Sequence, residues 1–277
     1  MLPAPHPRGI GEILDLAAEI LLARFARLVG IAFVTLAVVQ GLFRSVGLLG
    51  QAGPGPDLEE AYSLLALSLA VFLISNAVIN AVATRVTVRF LLGDLLPSGS
   101  LVRALPAVLA VSLVTMVLMV VGGIFTLGLG SLIVWYKFLF APNVVVAESV
   151  GPLKAMRRSW ELTRASFGRC AGVYLGGMLL VLPLSLAAQD IQDPAGYTMA
   201  MEWIPGLSPL AADVLLLLVG ALLQALPAAY TGAAFAVLYA DTLVRREGVD
   251  LVARLADRDL RLSEPPSPPQ TVVEELV

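Results

Sequence analysis

The positively charged residues of this chain fall into groups, and long apolar stretches separate the groups. Sixteen of the eighteen Lys and Arg residues lie within the segments 8–27, 85–103, 154–169 and 245–261. The connections between alternate apolar stretches, at 50–60 and 190–208, contain acidic residues but no basic one. A chain that alternates basic and non-basic connections is sorted across a bilayer, with the basic side in the cytoplasm. The pattern therefore predicts a multi-pass membrane protein with both termini in the cytoplasm.

The composition agrees with a chain that lies mostly in lipid. Hydrophobic residues make up 58% of the 277 positions and charged residues only 14%, whereas a soluble domain carries about a quarter charged residues. A transmembrane helix needs about 20 mostly apolar residues. The predicted spans are 28–49, 61–84, 104–121, 124–147, 170–189 and 210–240. We therefore expect an all-α protein of the cytoplasmic membrane, with a single membrane domain over residues 1–262.

The third apolar run is too long for one helix, because 33 residues separate Arg103 from Lys137. It predicts two antiparallel spans joined by a tight turn. Adjacent glycines are strong breakers, so the turn is predicted at Gly122 and Gly123. Further along, Pro142 lacks the amide hydrogen that a helix interior uses and is predicted to kink or end the fourth helix.

Residues 151–167 have the pattern of a helix that lies on the cytoplasmic membrane surface. Apolar residues recur every three or four positions, which places them on one side of a helix and Trp160 at headgroup depth. The cations on the opposite side are Lys154, Arg157, Arg158 and Arg164. Each cation near anionic lipid contributes roughly 1 kcal/mol, so this helix is predicted to contact anionic headgroups.

The beginning and the end of the chain have patterns of their own. The segment 10–27 has an acidic stripe and is predicted to form a second surface helix, with packing on the protein as the alternative. The proline-rich, acidic residues 263–277 are predicted to be disordered. The segments 19–30 and 161–172 are weakly similar at an offset of 142 positions. This similarity indicates two parallel repeats, each with one short helix and two spans, on either side of the third and fourth spans. Chance similarity within an apolar sequence is the alternative.

Two stretches of the chain carry motifs that identify a family. Residues 142–169 read PNVVVAESVGPLKAMRRSWELTRASFGR, in which the motif positions are Pro142, Glu148, Ala155, Arg158, Ser159, Trp160, Leu162 and Thr163. Residues 238–250 read LYADTLVRREGVD, in which the motif positions are Tyr239, Asp241, Arg245, Glu247, Gly248 and Asp250. Together they resemble the bacterial membrane domain named after glycerophosphoryl diester phosphodiesterase. Leu243 stands where the resemblance leads us to expect an arginine.

The resemblance implies a membrane domain over residues 9–262 and does not by itself imply an activity. In some relatives this domain is fused to a catalytic barrel of about 250 residues, whose chemistry uses paired histidines and acidic metal ligands. This chain has one histidine, His6, and no motif typical of a metal site, a nucleophilic serine or a phosphate-binding loop. We therefore expect no enzyme activity and no cofactor. The basic residues lack interleaved aromatics, so nucleic-acid binding is not expected either.

Polar residues within the predicted spans are candidates for a functional site. A charge at mid-bilayer costs roughly 2.5–3.5 kcal/mol, so Lys137 is a functional candidate. Its structural alternatives are an extended side chain that reaches the headgroups or a pair with Asp241. Asn76 and Asn80 lie on one face of the second span, where they either line a polar path or form hydrogen bonds within the helix bundle.

Three further polar residues are predicted to have structural roles. Gln40 and Gln224 are predicted to form hydrogen bonds between helices. Arg44, near the outer end of the first span, is predicted to reach the outer headgroups or to pair with Glu59 or Glu60.

Two functions stay open from the sequence. The first is a non-enzymatic component that organises or assists a membrane complex through a basic cytoplasmic face, in contact with anionic lipid or a protein partner. The residues predicted to face lipid or partner are Lys154, Arg157, Arg158, Trp160, Arg164, Arg169, Arg245 and Arg246. The alternative is a transporter or channel for a small amphiphilic or polar solute, for which a polar cavity that reaches Lys137 and Asn80 is expected. No oligomeric state is predicted.

Overall fold

The structure, a computed structural model, describes residues 8–51, 58–93, 100–164, 166–192, 198, 201–204 and 208–248. Its helices are α1 (Ile10–Ala23), α2 (Phe25–Gln51), α3 (Leu58–Leu92), α4 (Leu101–Phe125), α5 (Leu129–Phe138), α6 (Ala141–Glu148), α7 (Pro152–Leu162), α8 (Phe167–Gln192) and α9 (Pro209–Glu247). Six helical stretches are long and apolar enough to span a membrane: α2, α3, α4, the α5–α6 pair, α8 and α9. The predicted all-α multi-pass membrane protein is confirmed. Asp250 and the predicted tail 263–277 lie outside the described residues.

The long helices extend beyond the predicted spans. With a rise of 1.5 Å per residue, about 20 residues cross the hydrocarbon, yet α3 has 35 residues and α9 has 39. Both ends of α9 are set by local chemistry. Ser208 caps the first turn by accepting a hydrogen bond from the Ala211 amide over 3.3 Å, and Pro209 occupies the first helical position. Gly248 adopts a left-handed conformation, with φ of 59°, and ends the helix.

Helix α9 is the central element and packs against α1, α2, α3 and α8. Its contact with α3 is close, because a Cβ placed on Gly232 would lie 2.8 Å from the Cβ of Ala83. Its contact with α2 includes a polar pair, in which Gln40 Nε2 donates to Gln224 Oε1 over 2.9 Å. The predicted interhelical role of the two glutamines is therefore confirmed.

The turn between α4 and α5 lies at 126–128, so the prediction of a turn at Gly122 and Gly123 was wrong. Helix α4 continues through both glycines, because a backbone in lipid has no water to replace its helical hydrogen bonds. Gly122 instead allows α4 and α5 to pack closely, because a Cβ on Gly130 would lie 2.5 Å from the carbonyl oxygen of Gly122. The left-handed residue that the turn needs is Gly128, with φ of 94°.

The fourth span is interrupted near its middle. Helix α5 ends at Phe138 and α6 begins at Ala141, with Pro142 in its first turn, so the predicted effect of this proline is confirmed. The following surface helix is shorter than predicted. Helix α7 ends at Leu162, where the hydroxyl of Thr163 donates to the carbonyl of Ser159 over 3.0 Å.

Helix α1 packs on the protein, as the alternative prediction for this segment stated. Its side chains Ile13, Ala17 and Ile20 are fully buried, and α1 contacts α8 and α9. The helix order expected from the repeat is present, because α1–α2–α3 and α7–α8–α9 each have one short and two long helices. The parallel axis that would relate the two units stays a prediction.

Candidate functional site

The described residues of the two sequence motifs meet at one end of the helix bundle. We call it the basic end: the end at which α2, α4 and α8 begin and α3 and α9 finish. Two clusters of charged side chains lie there. The glutamate cluster comprises Glu148, Arg158, Tyr239 and Glu247, and the aspartate cluster comprises Arg8, Arg169, Asp241 and Arg245.

In the glutamate cluster, one arginine joins two carboxylates from different helices. Arg158 of α7 contacts Glu148 at the end of α6, with Nε 3.3 Å from Oε1, and also pairs with Glu247 of α9. The hydroxyl of Tyr239, a fully buried residue of α9, donates to Glu148 Oε1 over 2.9 Å. Burial acts against the charge of Arg158, but the two carboxylates outweigh it, so the pKa of this guanidinium is raised above its ordinary value. The cluster thus connects α6, α7 and α9.

Ser159, the neighbouring motif residue, bridges the interruption of the fourth span. Its hydroxyl donates to the carbonyl of Lys137 over 2.8 Å and accepts from the amide of Phe140 over 3.2 Å. The break between α5 and α6 deprives backbone groups of helical partners, and such groups must be satisfied inside the protein when water is absent. Ser159 is fully buried and supplies these partners from α7.

The aspartate cluster surrounds a carboxylate that is 0% exposed, that of Asp241. Asp241 pairs with Arg169 of α8 and with Arg245, whose Nε lies 3.2 Å away. Its other oxygen accepts from the backbone amide of Arg8 over 2.7 Å. The carbonyl of Arg8 in turn accepts from Arg169 over 2.5 Å and from Arg245 over 2.8 Å. The segment that leads into α1 is therefore fixed to α8 and α9 through its backbone.

The side chain of Arg8 is itself buried, at 4% exposure, and its Nη2 atom has no hydrogen-bond partner. Burial lowers the pKa of this guanidinium, while the charges of Asp241 and Glu12 act in the opposite direction. Sequence reasoning placed Arg8 only within a basic segment. Nothing in its sequence surroundings indicates that it contacts Asp241, 233 positions away.

Half of the residues predicted to face lipid or a partner are bound within the protein. Arg158, Arg169 and Arg245 pair with carboxylates of the two clusters, and Arg246 donates to the carbonyl of Glu161 over 2.7 Å. The positive-inside pattern explains where these cations lie but not what they contact. Arg245 and Arg246 are exposed even so, and the other exposed residues of the set are Lys154, Arg157, Trp160 and Arg164.

Lys137 does not pair with Asp241. Its ammonium lies 4.8 Å from the ring centre of Trp160 and 5.2 Å from that of Tyr136, within the range of cation–π contacts. It thus extends toward α7, and the reach of this lysine to the headgroups stays a prediction. Beside it lies an open groove of about 550 Å³, lined by Phe138, Leu153, Met156, Arg157, Trp160, Glu161 and Arg164. We call this the Trp160 groove.

The polar residues of α3 bond to their own helix. The side-chain amides of Asn76 and Asn80 donate to the carbonyls four residues earlier, over 3.0 Å and 2.8 Å. Both amides are therefore satisfied within α3, and their polarity does not require a polar path through the protein. Arg44 pairs with Asp213 at 3.3 Å and not with the predicted partner Glu59, while the side chain of the other predicted partner, Glu60, lies outside the described residues.

The described residues contain no group of three His, Cys, Asp or Glu side chains that could hold a metal ion. In both clusters every carboxylate is occupied by arginine, tyrosine or backbone donors. The basic end therefore has the chemistry of a fixed structural element with exposed cations around it.

No protein-family model matches the chain, and neither a curated protein nor a solved structure matches it.

Proposed function

We propose that this membrane protein is a non-enzymatic component of the bacterial cytoplasmic membrane, with both termini in the cytoplasm, that organises or assists a membrane complex at its basic end. One observation carries the proposal. The residues of the two motifs, which lie about 90 positions apart in the chain, meet in clusters that join α6, α7, α8 and α9. The most specific polar contacts of the chain therefore fix the arrangement of the helices at the basic end.

Exposed cations surround the clusters and supply a binding surface. Arg24, Arg27, Arg103 and Lys154 are exposed and form no ion pair among the described residues. A surface of this kind attracts an acidic partner and guides its approach, because complementary charge raises the association rate. A rigid frame beneath the cations reduces the entropy that binding would otherwise cost.

The resemblance to the membrane domain named after glycerophosphoryl diester phosphodiesterase supports this proposal. Pro142, Glu148, Ser159 and Gly248 each have a structural use here: a helix break, an ion pair, a bridge across the break and a helix end. Such roles suit a family whose motifs maintain a shape. We propose membership of that family on these residues.

The contacts around Asn80 and Lys137 count against the transporter alternative. Asn80 lies where α3 and α9 approach so closely that a Cβ on Gly232 would be 2.8 Å from Ala83. Lys137 extends toward Trp160, which is 44% exposed, and away from α9. The two polar positions therefore do not share a solute path.

Site-specific photo-crosslinking in native membranes tests the proposed function. A photoreactive amino acid replaces Arg103 at the basic end or, as the matched control, Leu127 in the turn between α4 and α5, which is 99% exposed. We expect a discrete protein adduct from Arg103 that Leu127 does not give, detected by immunoblot and identified by mass spectrometry. The same adducts from both positions, or no protein adduct from Arg103, Arg24 or Lys154, would contradict the proposal.

A further inference from the structure

The Trp160 groove carries an excess of positive charge. Arg164 lines it, and Lys137 lies beside it with its ammonium 4.8 Å from the ring centre of Trp160. Neither cation has a carboxylate partner among the described residues. Arg157 pairs with Glu161 at 3.5 Å, but its side chain is 86% exposed, so solvent weakens that pair. Three cations and one carboxylate leave two positive charges to be balanced by a ligand.

The surroundings of the groove are apolar and exposed. Leu153, which lines it, is 81% exposed, and Phe167, just beyond Arg164, is 59% exposed. Side chains of this kind beside membrane-spanning helices lie favourably against acyl chains and unfavourably in water. Trp160 combines an apolar ring with a polar edge, which is the preference of residues at headgroup depth.

A second hollow continues this surface along α5. It has a volume of about 320 Å³ and is lined by Met119, Ser131, Leu132, Trp135, Phe167, Ala171, Tyr174 and Leu175. Trp135 of this hollow and Phe138 of the Trp160 groove are three residues apart, so both lie on one face of α5. The cations of the Trp160 groove and the apolar hollow beside Trp135 thus follow one another along the surface, as the headgroup and the acyl chain of a phospholipid do.

We propose that the Trp160 groove binds the phosphate of an anionic phospholipid, with one acyl chain in the hollow beside Trp135. The inference rests on the proposed function only in placing the basic end at the cytoplasmic leaflet, and it needs no protein partner. Lys137 and Arg164 balance the phosphate, and Trp160 covers the glycerol region. A soluble anion or an acidic peptide would leave Leu153 and Phe167 against water, whereas a lipid covers them.

Tryptophan quenching by brominated lipid tests this inference on the full chain in nanodiscs. Trp203, which is 74% exposed, is replaced by Phe so that Trp135 and Trp160 give the signal. Phosphatidylglycerol with brominated acyl chains is compared with brominated phosphatidylcholine at equal content. We expect stronger quenching by phosphatidylglycerol, and we expect the variant Lys137→Gln/Arg164→Gln to reduce the preference roughly 30-fold, which corresponds to about 2 kcal/mol for two cations.

The matched control is Arg24→Gln/Arg27→Gln, which removes two exposed cations at the start of α2. It is expected to keep the preference, and Lys137→Arg is expected to keep it as well. Equal quenching by both lipids in the parent chain, or equal loss in the control variant, would overturn the inference. Abolition of the preference by inorganic phosphate would assign the groove to a soluble anion and would also overturn it. The nanodiscs contain no partner protein, so this outcome is independent of the crosslinking result.

Discussion

The short helices α1 and α7 are both attached to the last turns of α9, but the attachments differ in burial. The segment before α1 is held by Asp241, whose side chain is 0% exposed. Helix α7 is held by side chains that are 20–34% exposed, those of Glu148, Arg158 and Glu247. The arginine partners of Asp241 are 21% and 41% exposed, so the two clusters differ in the burial of the carboxylate alone. A fully buried carboxylate depends on its partners, whereas a partly exposed one is also stabilised by water and screened by salt. We therefore expect the aspartate cluster to contribute more to the free energy of unfolding than the glutamate cluster, although both consist of similar ion pairs.

The side chains of α1 and α7 also differ in burial, and α1 is again the more buried of the two. Helix α1 buries an apolar stripe formed by Ile13, Ala17 and Ile20, so it belongs to the core. Helix α7 buries Leu162 beside the small or polar Ala155 and Ser159, and it leaves Leu153 and Trp160 exposed. If the two helices occupy equivalent places in a repeat, the first has become structural and the second has remained open to a ligand.

The largest expected effect follows from removal of the buried carboxylate. Asp241→Ala leaves Arg169 and Arg245 without their common partner and frees the amide of Arg8. Breaking a buried ion pair costs about 3–5 kcal/mol, and we expect about 3 kcal/mol here because the two arginines left behind are 21% and 41% exposed. We expect a clear loss of thermal stability, measured in detergent by circular dichroism.

Asp213→Ala is the matched control for that variant, because Asp213 pairs with Arg44 at 3.3 Å and its side chain is 41% exposed. An exposed pair contributes about 0–1 kcal/mol. Equal losses in the two variants would show that burial does not distinguish the pairs, and the comparison between the clusters would fail.

An intermediate effect is expected in the glutamate cluster. Arg158→Gln removes the charge that joins Glu148 and Glu247, and a hydrogen-bonded, partly buried group of this kind contributes about 1–3 kcal/mol. Because the pKa of Arg158 is raised, its contribution is fully present below the ordinary arginine pKa and is lost only as the pH rises through the higher folded-state value. Salt, and not pH in the usual range, should therefore weaken the cluster.

A double-mutant cycle measures this contribution directly. Coupling between Arg158 and Glu247 is expected to exceed that between Arg157 and Glu161, an exposed pair of about 0.3–0.5 kcal/mol. High salt should reduce both couplings. A coupling of zero for Arg158 and Glu247 would mean that their contact does not hold α7 to α9.

The distribution of charge and hydropathy was sufficient to predict the membrane helices, because lipid imposes helical structure on any long apolar run. The same property of lipid explains why the prediction of the turn between α4 and α5 was wrong. Gly122 and Gly123 would break a helix in water, but within a bilayer they remain helical, and small residues there allow helices to approach. The turn came instead where Gly128 supplies a left-handed residue.

The contacts of the site were beyond prediction from a single sequence. Glu148 and Tyr239 are 91 positions apart, and no periodic pattern relates them. The cations fit the positive-inside pattern whether they face lipid or a carboxylate, so the pattern alone could not separate Arg158 from Arg157. Their difference arises from the side of α7 that meets α6 and α9, which depends on the break at Pro142.

The smallest expected effect concerns that break. Ser159→Ala removes the hydroxyl that bonds the carbonyl of Lys137 and the amide of Phe140, and the loss is expected to be about 1 kcal/mol, the low end of the cost of leaving neutral groups unpaired. Hydrogen exchange should show it locally, as an increase of roughly fivefold in the exchange of the Phe140 amide, with the amides of α9 unchanged. The control is Ser166→Ala, whose hydroxyl donates to the carbonyls of Leu162 and Thr163 and makes no contact with the break. If both variants leave Phe140 equally protected, the serine of the motif does not bridge the break, and the attachment of α7 rests on the glutamate cluster alone.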